Sequence, residues 1–186
     1  MRIIPMAILL AALLPIFSFA EKSTRLALPN ELKQGTIPNF FVLEKNGIGE
    51  LYREDIKNAV KKTGAKRVVL SFFATYCVSC KEEFAILKNS KAELEKQGVL
   101  IYLIDVGENI RANGEKVKEM VEKNAGETYP YYFDPNAILP KNFGLSKQGE
   151  DLSLPLTIIL DSNLQALGVL KGKMGSDFPQ VLWSEL

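Results

Sequence analysis

RVVLSFFATYCVSCKEEFAILKNSKAELEKQ, residues 67 to 97, changes its period halfway along, and the change falls on a Cys-x-x-Cys. Val68 to Phe73 is β-branched, aromatic and apolar on both faces, which predicts a strand buried on both sides at the centre of a sheet. Beyond it Phe84, Leu87, Leu94 and the aliphatic stem of Lys91 recur three or four apart among Glu and Lys until Gly98 breaks the pattern, as in an amphipathic helix. Cys77 then stands where a strand hands over to a helix N-terminus. First-turn N–H groups have no intrahelical partner there and the helix dipole is positive, so a thiolate is favoured over a thiol. Cys77 is the expected nucleophile. Cys80, nearly one turn further on and on the same face, is the expected resolving thiol.

These two are the only cysteines, and the chain has no histidine. A purely structural disulfide here would close a four-residue loop, worth about 2 kcal/mol by chain entropy, the poor end of what such bonds offer. Zinc takes four ligands, which two cysteines without histidine do not supply, so no metal is expected. Cycling between dithiol and disulfide is the chemistry that fits, with no cofactor beyond the Cys77–Cys80 pair itself.

The 186 residues are 47% hydrophobic and 24% charged, an ordinary composition for one domain able to bury a core. Basic and acidic residues number 23 and 22 and form no long single-sign block, which gives no footing for nucleic acid or an anionic membrane. Met1 to Ala20 reads as a signal peptide, with one cation at Arg2, an uncharged run from Ile3, and Ser18-Phe19-Ala20 as a small-x-small cleavage site. An uncleaved N-terminal anchor is the alternative, since the run reaches the lower limit for crossing a bilayer; Pro5, Pro15 and the cleavage-like end favour removal. Export places the protein in the periplasm or another extracytoplasmic, oxidising compartment, where a dithiol stays reduced only if a donor supplies electrons.

Residues 21–35 are polar and without period, a lead-in linker to one domain over 36–186. Ile37 to Leu43, the turn signal Asn46-Gly47, and Gly49 to Tyr52 predict a β-hairpin, and Glu54 to Lys62 a short helix ending near Gly64. Val99 to Val106 predicts a second buried strand, Glu115 to Asn124 a helix with Val117, Met120 and Val121 on one face, Tyr131 to Phe133 a short strand, and Asn136 to Phe143 a short helix in which Pro140 is awkward. Leu156 to Leu160 and Leu164 to Leu170 predict a closing antiparallel hairpin, and Asp177 to Leu186 a last helix.

The segment FFATYCVSCKEEF, residues 72 to 84, resembles the active-site segment of the TlpA/ResA-like branch of the thioredoxin superfamily, the extracytoplasmic thiol-disulfide oxidoreductases, and the likeness extends from about Ile37 to the C-terminus. The resemblance implies an α/β, thioredoxin-like fold: a central mixed sheet flanked by helices, with an N-terminal β-hairpin extension. It also implies that Leu154-Pro155-Leu156-Thr157 holds a cis-proline against the Cys-x-x-Cys, presenting the Leu154 backbone to an extended substrate peptide, with Thr157 beside it. Glu83 matches an acid/base glutamate of ResA-like proteins, and partial burial would raise its pKa; Glu82 reads as an ordinary first-turn acid. Ser71 occupies the place of a buried aspartate in thioredoxin and cannot act as that base, which leaves proton transfer to Glu83 or water. Tyr76 stands where the family often has tryptophan and is expected as groove wall. Val78-Ser79 between the cysteines carries no cation, which shifts the couple towards a reductant. Nine residues, Ser146 to Leu154, separate Leu145 from Pro155, more than family members usually spend; the stretch is either a specificity loop or a mere connection.

The function expected is reduction of disulfides in other exported proteins. The commonest context implied by the resemblance is cytochrome c maturation, with apocytochrome c as substrate and a membrane thiol carrier as electron donor. A thiol oxidase or isomerase is the alternative within redox chemistry, and a Cu(I)-binding metallochaperone using both thiolates the alternative from another class.

Overall fold

Residues 24–33, 37–46, 49–127, 129–146, 152–178 and 180–181 are described by a computed structural model. The expected signal segment and residues 147–151, the centre of the Ser146 to Leu154 stretch, lie outside them, as does most of the expected last helix, of which Phe178, Gln180 and Val181 are helical. In chain order the elements are β1 (Thr24–Leu26), α1 (Asn30–Lys33), β2 (Phe41–Glu44), β3 (Glu50–Tyr52), α2 (Arg53–Thr63), β4 (Arg67–Phe73), α3 (Val78–Lys96), β5 (Val99–Val106), α4 (Ile110–Asn124), β6 (Tyr131–Asp134), α5 (Ile138–Asn142), β7 (Leu156–Asp161) and β8 (Ala166–Lys171).

The eight strands form one sheet in the order β1-β8-β7-β4-β5-β6-β2-β3. β4, β5 and β6 run parallel, and every other pairing is antiparallel, giving the mixed sheet expected. The N-terminal hairpin joins it through β2 against β6, so the extension continues the sheet rather than standing apart.

β4 lies between β7 and β5 because both its faces are apolar. Val69 and Phe73 pack with Phe84, Leu87 and Leu94 of α3 and with Val117, Met120 and Val121 of α4. Val68, Leu70 and Phe72 turn to the other layer, against Ile56 and Val60 of α2 with Phe40, Leu139 and Phe143. Each such side chain contributes about 1.5–3 kcal/mol on burial, so the strand that leads to the cysteines is held rigidly from two sides. At the far end of α3, Gly98 adopts φ +76, a left-handed turn that glycine takes without steric cost.

Three local expectations need correction. Residues 21–35 are not all linker: Thr24–Leu26 pair with β8, and α1 buries Leu32. α4 begins at Ile110, five residues before Glu115, because the Asn109 Oδ1 accepts from the N–H groups of Arg111 at 2.9 Å and Ala112 at 3.3 Å, a cap that the polar stretch and Gly114 conceal in the sequence. The last strand begins at Ala166, with Leu164 at φ 62 in the preceding turn and its side chain buried. Pro140 sits third in α5, within the first turn, where a missing N–H costs no intrahelical bond.

Candidate active site

The end of β4 turns directly into α3: Cys77 N–H donates to the Ala74 carbonyl at 3.0 Å, with Thr75 and Tyr76 at the centre of the turn. Cys77 is the N-cap of α3, and its sulfur accepts the Cys80 N–H at 3.2 Å, which is how a helix start stabilises negative charge on sulfur. Cys77 and Cys80 are joined in a disulfide. Cys77 is 7% exposed and Cys80 fully buried, so only Cys77 offers a sulfur to an incoming group. The Ser79 hydroxyl lies 3.8 Å from the Cys77 sulfur.

Apart from that hydroxyl, the residues next to Cys77 on the chain are large and exposed. Tyr76 and Val78 are 73% and 70% exposed, two large side chains flanking Cys77 on the chain. Leu154-Pro155 is cis, at the end of β7 nearest the end of β4, and the Pro155 carbonyl accepts the Gly172 N–H at 2.9 Å, tying this corner to the end of β8. Leu154 is half-buried against both core layers. Thr157 is placed differently from its expected role. It is 1% exposed and pairs with Ser71 across β4–β7, so it belongs to the floor beneath α3 and cannot touch a substrate from there.

Glu83 projects from the same face of α3 as Cys80 and is fully buried. Ser71 Oγ donates to its Oε1 at 3.2 Å and Met174 N–H to its Oε2 at 3.4 Å. Burial pushes the carboxyl up to about 7, against these two hydrogen bonds, which favour the charged form. Ser71 therefore acts as a hydrogen-bond donor to the buried Glu83 carboxyl. The neighbouring Glu82 faces outward and pairs with Lys173 at 2.5 Å, a surface contact.

A second group of carboxylates escaped sequence reading. Glu108, in the turn after β5, accepts from Thr75 N–H at 2.5 Å and from Thr75 Oγ1 at 2.7 Å, and so grips the turn that carries Cys77. Three residues before it in the chain, Asp105 is fully buried and pushed up to about 9 by burial first, then by Glu108 and Asp134. Asp134 accepts from Ile138 N–H at 2.9 Å and Leu139 N–H at 2.7 Å at the start of α5. The signal available was a lone acid in the otherwise apolar VLIYLIDV.

Among proteins of known activity, the chain is similar to the thiol-disulfide oxidoreductase ResA of Bacillus subtilis, 27% identical over 74% of this chain and 66% of that protein, just under two thirds of its length. It is also similar to the thiol:disulfide interchange protein DsbE of Escherichia coli, 26% identical over 98% of this chain and 86% of the other. The thioredoxin domain of a thiol-disulfide oxidoreductase from Bacteroides vulgatus superposes with a TM-score of 0.60 at 16% identity, covering 84% of this chain and 96% of that one, which shows the thioredoxin-like fold. The AhpC/TSA family model matches residues 36–166, from ahead of the hairpin to the first residue of β8 and through both cysteines, Glu83 and Pro155, and the chain belongs to that family.

Proposed function

We propose that the protein is an exported thiol-disulfide oxidoreductase that reduces disulfides in other exported proteins. The observation that carries this is the asymmetric pair at the α3 N-cap, Cys77 at the surface with its sulfur taking up the Cys80 N–H, and Cys80 buried behind it. The relatives' names as thiol-disulfide oxidoreductase and interchange protein support the same chemistry.

In the reduced protein the Cys77 thiolate attacks one sulfur of the substrate disulfide, forming a mixed disulfide and expelling the other substrate sulfur as thiolate. Cys80 then attacks the Cys77 sulfur; the Cys77–substrate bond breaks, the second substrate thiol leaves, and Cys77–Cys80 is oxidised as two electrons pass to the substrate. Cys80 must lose its proton in that step. Glu83, a turn further along the same buried face and with a carboxyl poised at about 7, is the acceptor in reach of that interior. Tyr76, Val78 and Leu154 give the substrate an apolar seat, and the cis-Pro155 corner offers its preceding backbone for strand-like pairing. Apocytochrome c is the substrate and a membrane thiol carrier the donor that the ResA-like resemblance favours.

Cys80→Ser should trap a mixed disulfide with the substrate and Cys77→Ser should form none, because attack survives only in the first. Trapping by Cys77→Ser alone would reverse the roles and remove the basis of this reading.

A further inference from the structure

We infer that Asp105 is a positioning residue for the exchange reaction: it shares a proton with Glu108 and so fixes the carboxylate that grips the turn ahead of Cys77. Glu108 uses one oxygen on the Thr75 N–H and the other on the Thr75 hydroxyl, two contacts to a single residue that lies two places before the nucleophile. Such a carboxylate holds its target only if something holds the carboxylate.

Asp105 is the group placed to do so. It is fully buried near the end of β5, opposite Phe73 of β4 and Phe133 of β6, neither of which has a side-chain donor to offer. Both its carboxyl oxygens lack any ordinary hydrogen-bond partner among the described residues, and of the two acids that act on it, Glu108 and Asp134, Glu108 is the stronger and stands three residues away on the chain. A bare buried carboxylate there would be costly, and two facing carboxylates more so. One proton between them turns repulsion into a hydrogen bond and leaves Glu108 free to accept from Thr75. Among the described residues no ion pair reaches Asp105 or Glu108: Asp134 at the end of β6 is acidic and engaged with the start of α5, Glu83 on α3 is turned to Ser71 and Met174, and Lys81, Lys116, Glu119 and Lys123 line the open groove beside Thr75. Burial and the neighbouring acids push Asp105 up to about 9, so the proton stays in place through neutral pH and leaves in the alkaline range.

The inference rests on Cys77 as the exchanging thiol, but its test reads Thr75 directly, so the two can fail separately. The probe is the Thr75 methyl resonance of the oxidised protein, followed by carbon–proton NMR from neutral to strongly alkaline pH. Wild type should show an alkaline inflection as Asp105 ionises and Glu108 loosens. Asp105→Asn, which keeps a neutral donor beside Glu108, should be flat, and its reduced form should alkylate at Cys77 within about twofold of wild type at neutral pH. Asp105→Val, with no donor, should alkylate about tenfold more slowly, the effect of a lost hydrogen bond to a charged group. A flat wild-type titration overturns the inference whatever the variants do. So does an unchanged inflection in Asp105→Asn, or equal alkylation by the Asn and Val variants.

Discussion

Glu83→Gln should make the protein more stable above neutral pH, by an amount that the burial of Glu83 sets. The carboxyl is raised from 4.5 to about 7, so between those values the unfolded chain has lost a proton that the folded chain keeps. With more protons bound in the native state, stability falls as pH rises through this window. Fully developed, a shift from 4.5 to about 7 corresponds to about 3 kcal/mol, taking 1.36 kcal/mol per unit. Glutamine has the same shape, its oxygen can accept from Met174 and its amide can donate to Ser71, so the variant keeps the contacts and loses the titration. Urea unfolding of the oxidised protein, followed by far-ultraviolet circular dichroism, gives the stability of both forms at a series of pH values. The difference between them should be steady in acid and move by about 3 kcal/mol in favour of the variant by mildly alkaline pH. Asp105 also weakens the fold as pH rises, but equally in both proteins, and drops out of the difference. Glu82→Gln, at an exposed ion pair, should show no such trend. A difference that stays constant with pH would show that Glu83 does not hold its proton in the folded protein, and would remove it as the acid/base of the exchange.

Tyr76→Ala and Val78→Ser should each leave stability within about 0.5 kcal/mol, since both side chains are largely exposed, while slowing reduction of protein disulfides more than of a small disulfide. Phe84→Ala should destabilise by about 3–5 kcal/mol, because Phe84 is fully buried with its ring edge-on to Phe73, 4.9 Å between centroids; urea unfolding measures it. Shortening the stretch from Ser146 to Leu154 to a tight turn should spare reduction of a small disulfide and slow that of the protein substrate; equal effects on both, or none, would make it only a connection.

The sheet's centre was legible because β4 and β5 are apolar on both faces, and such runs have few places to go but between other strands. The cysteine pair was legible for the same reason, as the period change fixes where strand becomes helix. What stayed hidden was either a short-range polar cap or a contact between residues far apart in sequence. The Asn109 cap started α4 a turn and more early in a stretch with no apolar rhythm. β1 was hidden because two exposed residues and one half-buried residue show no period, and only β8 gives them a partner. Thr157 looked like a groove residue beside Pro155, but strand alternation turns its side chain down beside Ser71. Asp105 and Glu108 stand 28 and 31 positions beyond Cys77, and only the parallel register of β4 and β5 brings them to the turn that carries it. The packing of α3 on β4 likewise brings Ser71 to Glu83, a contact between positions in different elements that the sequence does not show.

The reduction potential of the Cys77–Cys80 couple tests the proposed reductase most directly. Val78 and Ser79 bring no positive charge between the cysteines, and Lys81 is the one cation beside them in sequence, so the thiolate is less stabilised than in strong oxidants. Equilibration with glutathione redox buffers, with the two thiols quantified by alkylation, should give a midpoint more negative than about −200 mV. A midpoint near about −120 mV, the range of strong disulfide donors, would make the protein an oxidant and contradict the account.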